Sequence, residues 1–322
     1  HEFGHQYFQG MLASDESAQP WLDEGLNTMS NMLALTDWQG EGAWVTRFGN
    51  QAISVDEFVR GSLDGEPALD PVDAPAAAYR AINGSYGDTV YRKTAALLLT
   101  LRRLVGPARF DPAFRAYTDA WRFGHPTGDD LVAALVRALG ERVLLEGTGP
   151  EGQPVSLDVP DYLRQALHDV SAVDFSVLQV RNRRRADAVG WHRDEHGALA
   201  LREPPEDRDL PVPELPDAEV EAVVVVHRVG EFRVPVELEV EFADGARERA
   251  LWDGQARYHV FTWPGRRVRA ARLDPDARLL LEGPRLNNHR AAPESAPPDG
   301  VSGPLGDLGE ALALTVIGGV AL

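Results

Sequence analysis

The chain has 322 residues, 43% apolar and 25% charged, which fits an ordinary globular protein and suits two domains better than one. Its net charge of −18 speaks against binding nucleic acid or an anionic membrane through bulk charge. It has no cysteine, which excludes a disulfide framework, a thiolate metal site and a cysteine nucleophile.

In chain order, residues 1–13 and 20–35 read as two helices joined by the polar turn 14–19. Pro20 suits a first helical turn, where its missing N–H is not needed. The stretch TVYRKTAALLLTLRRLV, residues 89–105, is the strongest helix, and Gly106-Pro107 ends it. Helices over 111–123 and 127–139 follow, the latter opened by Thr127 and Asp130 in a capping-box arrangement. Residues 158–170 read as a last helix, with Tyr162, Leu163, Ala166 and Leu167 on one face.

After about Ala172 the period changes. Val236, Leu238, Val240 and Phe242 alternate with Glu237, Glu239 and Glu241 and run into Asp244-Gly245, the pattern of a half-buried strand entering a hairpin. Residues 222–226, 258–262 and 267–273 also read as strands, and their spacing predicts a β-sandwich. Residues 203–216 and 291–304 read as a loop and a linker. The last twelve residues, ALALTVIGGVAL, are too short to span a membrane, which takes about 20. They read either as a short packed element or as the beginning of a membrane-spanning helix. The second reading points to a membrane-associated or extracytoplasmic protein and leaves the cytoplasm open.

The chemistry is concentrated at the start. In HEFGH, His1 and His5 are four residues apart. On a helix they differ by about 40° around the axis, so both imidazoles can reach one ion. Glu2 flanks that ion, where a general base for an activated water belongs. A catalytic zinc normally takes three protein ligands. Glu24 in PWLDEGLN, nineteen residues after His5, is the third if the second helix folds back antiparallel. Asp23 reads either as a supporting residue beside the metal or, the favoured reading, as a solvated helix residue, and Thr28 as a weaker supporting candidate. The inverted motif His192-Arg193-Asp194-Glu195-His196 lies between glycines and reads as a charged hairpin loop. His125, His168, His227, His259 and His289 have no partner at ligand spacing and read as surface or core residues.

HEFGHQYF, PWLDEGLN and SYGDTVYRK together resemble the aminopeptidase N and leukotriene hydrolase family of gluzincin metallopeptidases. The resemblance covers residues 1 to about 290 and is strongest before residue 125. It implies one zinc ion per chain held by His1, His5 and Glu24, with Glu2 as general base. It implies that Tyr91, in the place of the family's YxKG tyrosine, stabilises the transition state, with Tyr86 as a second tyrosine. Thr94 departs from that motif's glycine. The implied function is a zinc-dependent aminopeptidase that removes N-terminal residues from peptides by attack of zinc-bound water. A non-catalytic peptidase-like scaffold, or endopeptidase or epoxide hydrolase chemistry on the same centre, stays open.

The family's Gly-x-Met-Glu-Asn segment, which binds the substrate amine, does not occur. The corresponding expectation is an N-terminally truncated fragment of a bacterial member, with little activity alone. The implied fold is α+β and multidomain. A mostly helical, thermolysin-like catalytic half over residues 1–171 precedes a β-sandwich over 172–290. A linker and apolar segment over 291–322 close the chain. Oligomeric state is not legible.

Overall fold

The structure is a computed structural model that describes residues 1–40, 42–48, 51–60, 70–80, 82–185, 190–193, 198–202, 212, 215–283 and 285–293. The apolar segment 311–322, most of the predicted loop and linker, and Asp194 to His196 of the inverted motif lie outside the described residues.

The first predicted helix is broken into pieces. Residues 2–4 form a turn, α1 covers only His5–Tyr7, and a π-helix follows over Phe8–Leu12. His1 therefore precedes the helix, and its carbonyl accepts the Gly4 N–H at 2.8 Å. The second helix forms as predicted and runs longer, α2 over Trp21–Gln39. A hairpin that the sequence reading did not anticipate follows, with β1 (Trp44–Phe48) antiparallel to β2 (Gln51–Ser54), then the short α3 (Val55–Arg60).

The predicted helix 89–105 is also divided. A π-helix spans Ile82–Lys93, and α4 begins only at Thr94, running to Val105. Every residue of α4 from Thr94 to Leu101 is buried, which makes it the central rod of the helical part. Gly106, at φ +88°, ends α4, and Pro107 sits in the first turn of α5 (Pro107–Ala120). The proline read as a terminator thus opens the next helix, because it lacks the N–H a first turn leaves unused. In α6 (Gly128–Leu139) the Asp130 carboxylate accepts the Thr127 N–H at 2.9 Å, the expected capping arrangement. A second unanticipated hairpin, β3 (Arg142–Thr148) with β4 (Pro154–Asp158), leads into α7 (Val159–His168). Asp158 caps α7 by accepting the Asp161 N–H at 2.9 Å, and Tyr162, Leu163, Ala166 and Leu167 are all buried.

The remainder is antiparallel sheet. Strands β5 (Phe175–Arg184), β8 (Val220–Arg228) and β11 (Tyr258–Pro264) form one sheet in the order β11-β8-β5; β6 (Gly190–Arg193) and β7 (Leu199–Arg202) pair as a separate hairpin. The other sheet has the order β10-β9-β12-β13, from β9 (Val236–Phe242), β10 (Arg247–Trp252), β12 (Val268–Leu273) and β13 (His289–Ala291). Strand β9 alternates buried and half-buried residues along its whole length, as its sequence requires. Asn182 on β5 ties the two sheets together. It donates to the Val268 carbonyl at 3.0 Å and accepts the Val268 N–H at 2.7 Å.

One apolar cluster runs from Phe8 and Trp21 through α4 to the strands. The helical part is also fastened to the 274–288 segment by polar contacts. Arg103 pairs with Asp56 at 2.6 Å and donates to the Ala277 carbonyl at 2.8 Å. Thr100 Oγ1 accepts the Leu281 N–H at 3.2 Å.

Candidate metal centre

The site is assembled by α2, the turn before α1 and the π-helix that precedes α4. The start of α2 is clamped. Asp73 Oδ1 accepts the Trp21 indole N–H at 3.0 Å and the Gln19 amide at 2.6 Å. Trp21 is fully buried, so Glu24, one turn on, projects from a fixed helix end.

Two glycines let the three segments close. A Cβ on Gly25 would stand 2.2 Å from Thr94 Cγ2 and 2.7 Å from the Val90 carbonyl, so α2 touches the segment carrying Tyr91 at backbone distance. Thr94 is the residue that fills this contact. A Cβ on Gly4 would stand 1.9 Å from Asn27 Oδ1. Asn27 in turn donates to the His1 carbonyl at 2.9 Å, which anchors the residue that no helix holds.

The sequence-predicted ligands converge. Glu24 Oε2 lies 3.1 Å from His1 Nε2 and 3.3 Å from His5 Nε2. One ligand atom from each residue lies within 4.8 Å of the others, which suits a single divalent cation. The two imidazoles meet edge to face, with centroids 4.8 Å apart. The three side chains are 21–26% exposed, so the centre is open to solvent and substrate. The donor set, two imidazole nitrogens and a carboxylate oxygen, fits zinc.

Glu2 is exposed and lies within electrostatic reach of His5. Tyr91 stacks on His1 with centroids 5.7 Å apart and planes 28° apart. Burial first, then its hydrogen bond to Glu24 and the charge there, hold the Tyr91 phenol well above its ordinary pKa. It is therefore a donor throughout the physiological range. Its backbone is π-helical, one turn short of the regular helix on which the sequence reading placed it. Tyr86 lies edge to face with Tyr91 at 6.3 Å and with Tyr79 at 5.2 Å.

Two expectations need correction. Asp23 is not solvated. Its side chain is 5% exposed, and its Oδ1 lies 2.7 Å from His5 Nδ1. Burial disfavours the charged form of His5, but the hydrogen bond and charge of Asp23, with Glu24 and Glu2 beyond, outweigh it and raise the His5 pKa. Asp23 is raised as well, because burial outweighs the imidazole. Thr28 does not reach the ligands; its hydroxyl donates to the Glu24 carbonyl at 2.7 Å, a bond within α2. The sequence reading also missed Asp73, whose clamp joins residues 52 and 54 positions apart.

Two cavities flank His1. One of about 810 Å³ is lined by Phe3, Tyr7, Leu33, Phe110, Phe114 and Arg115 among others. The second, about 370 Å³, lies between Thr28, Met32, Val45, Phe58 and Tyr91.

Residues 1–145 match the family model described as the peptidase family M1 domain. Among curated relatives, the chain is similar to aminopeptidase M1-A of Oryza sativa subsp. japonica, 27% identical over 48% of this chain and 17% of that protein. It is also similar to aminopeptidase N of Lactobacillus helveticus, 28% identical over 43% of this chain and 16% of that protein. The chain thus spans about a sixth of the length of these relatives. Among solved structures, Legionella pneumophila aminopeptidase A in complex with aspartic acid aligns over 88% of this chain and 26% of its own, at 13% identity and a TM-score of 0.47. The M1 zinc metallopeptidase from Deinococcus radiodurans aligns over 52% of this chain and 32% of its own, at 19% identity and a TM-score of 0.38.

Proposed function

We propose that residues 1–145, which match the peptidase family M1 domain model, carry the zinc centre of an aminopeptidase. The observation that carries the reading is the convergence of His1 Nε2 and His5 Nε2 on Glu24 Oε2, at 3.1 and 3.3 Å. These three residues would hold the ion. Zinc in such a site supplies Lewis acidity, which brings the pKa of water toward about 7 and polarises a carbonyl.

The chain's own residues supply the rest. Glu2 takes a proton from the attacking water on its carboxylate and passes it to the leaving nitrogen as the carbon–nitrogen bond breaks. Tyr91 donates its hydroxyl hydrogen to the oxyanion that develops on the carbonyl oxygen. Asn27 and Asp73 keep His1 and the start of α2 in place. The two cavities that border His1 give room for substrate beside the ion. In this reading residues 1–171 are the helical part of the catalytic domain. The two sheets of 172–290 form a β-sandwich domain.

The test uses the complete product of the reading frame that encodes this chain. Aminoacyl amides with a free amine should be hydrolysed, N-blocked peptides should not, and a chelator should abolish turnover. Equal cleavage of N-blocked peptides would make the protein an endopeptidase. No turnover of either class by zinc-loaded protein would leave a non-catalytic scaffold.

A further inference from the structure

His5 is the ligand whose two ring nitrogens are both engaged. Nε2 faces Glu24 Oε2 at 3.3 Å, and Nδ1 faces Asp23 Oδ1 at 2.7 Å. Consecutive residues of α2 therefore hold one imidazole from opposite sides. A neutral imidazole carries one hydrogen and one free lone pair. Both nitrogens face a carboxylate, and the shorter contact, 2.7 Å to Asp23 against 3.3 Å to Glu24, is the stronger hydrogen bond, which draws the hydrogen to Nδ1 and leaves the lone pair on Nε2.

Asp23 is well placed for this task. Its side chain is almost completely buried. A carboxylate removed from water is tolerated when it is paired, and His5 is the partner. Its helix start is fixed by the Trp21–Asp73 clamp, so the carboxylate cannot follow the ring if the ring turns. His1 is secured differently, through its backbone carbonyl and Asn27. His5 needs an anchor on the ring itself, because α1 supplies only a single turn of regular helix.

We propose that Asp23 is a positioning residue, which holds His5 in the Nδ1–H tautomer and aims Nε2 at the metal position. The inference rests on the zinc-site reading above and assigns Asp23 no contact with substrate. Outer partners of this kind typically change metal affinity 10–100-fold when removed.

The test has a metal-free arm and a metal arm. In metal-free protein at about pH 9, where histidine is neutral, imidazole ¹⁵N shifts report the tautomer. Native His5 should carry its hydrogen on Nδ1. Asp23→Ala should move it toward Nε2, and Asp23→Asn, which keeps an oxygen at Nδ1, should retain the native form. Zinc affinity by chelator competition should fall about 10–100-fold in Asp23→Ala and less in Asp23→Asn. Circular dichroism verifies that each variant folds. Native His5 protonated on Nε2 would overturn the proposal, and this arm needs no variant. A folded Asp23→Ala with native tautomer and native zinc affinity would overturn it too. Failure of native protein to bind zinc would strike the metal-site reading instead, while the tautomer, measured without metal, still decides the role of Asp23.

Discussion

At the scale of single residues, Glu2 is where metal retention and turnover should separate. It lies within electrostatic reach of His5 and, among the described residues, belongs to none of the contacts that join the three candidate ligands. Glu2→Gln is expected to keep its zinc and to lose turnover by about 10²–10⁴-fold, the usual worth of a general base. Metal content and hydrolysis rate on the same preparation check this. Loss of zinc together with activity would make Glu2 a ligand. The grouping of His1, His5 and Glu24 was legible because side-chain type and spacing alone suggest a metal pair, and the family resemblance supplied Glu24 and Tyr91 as candidates. Asp23 was not. An acidic residue in a first helical turn has a sufficient explanation in the helix dipole, so nothing local marks it as a partner of His5. Its contact depends on the rotation of α2 against α1, which carries His5, a tertiary quantity.

At the scale of elements, the site depends on close approach. Gly25 lets α2 pack against Thr94 and the Val90 carbonyl, and a methyl group has no room there. Gly25→Ala is expected to destabilise the fold by about 1–3 kcal/mol, the ordinary cost of overpacking. Urea denaturation measures it, and native stability in this variant would show that the two segments can part without cost. The strands were read well where burial is one-sided. On β9, Glu237, Glu239 and Glu241 alternate with buried residues, and they pair with Arg247, Arg249 and Arg269 of the neighbouring strands. The helices were read well in place and less well in type. The π-helices over Phe8–Leu12 and Ile82–Lys93 replace α-helix beside the ligands and around Tyr91. Apolar periodicity averaged over a window cannot distinguish such a local widening. The hairpins β1-β2 and β3-β4 were missed because each is short and surrounded by helical pattern.

At the scale of the whole molecule, the helical and sheet parts share one core, and a buried carboxyl lies near their junction. Glu282 is fully buried and accepts the Phe175 N–H at 3.0 Å and the Asn288 amide at 2.7 Å. Burial, then the charge of Asp274, push its pKa up to about 8, against the pull of those donors and Arg285. A pKa raised on folding means that the folded state binds the extra proton. The stability this contributes is complete below the unfolded value of 4.5 and is lost as pH rises toward about 8. Native protein should therefore lose stability across that interval, and Glu282→Gln should lose less. The Asn288 Oδ1 atom, which has no partner among the described residues, allows that amide to turn and accept from the new glutamine. Urea midpoints of both proteins at about pH 5 and pH 8 give the comparison, and parallel slopes would refute it.

The central claim is that His1, His5 and Glu24 form one metal site. Zinc content by atomic emission, on protein loaded with zinc and then dialysed, tests it most directly. The account predicts about one zinc per chain in the native protein and close to none in His5→Ala. A stoichiometry near zero in the native protein, or an undiminished one in His5→Ala, would contradict it.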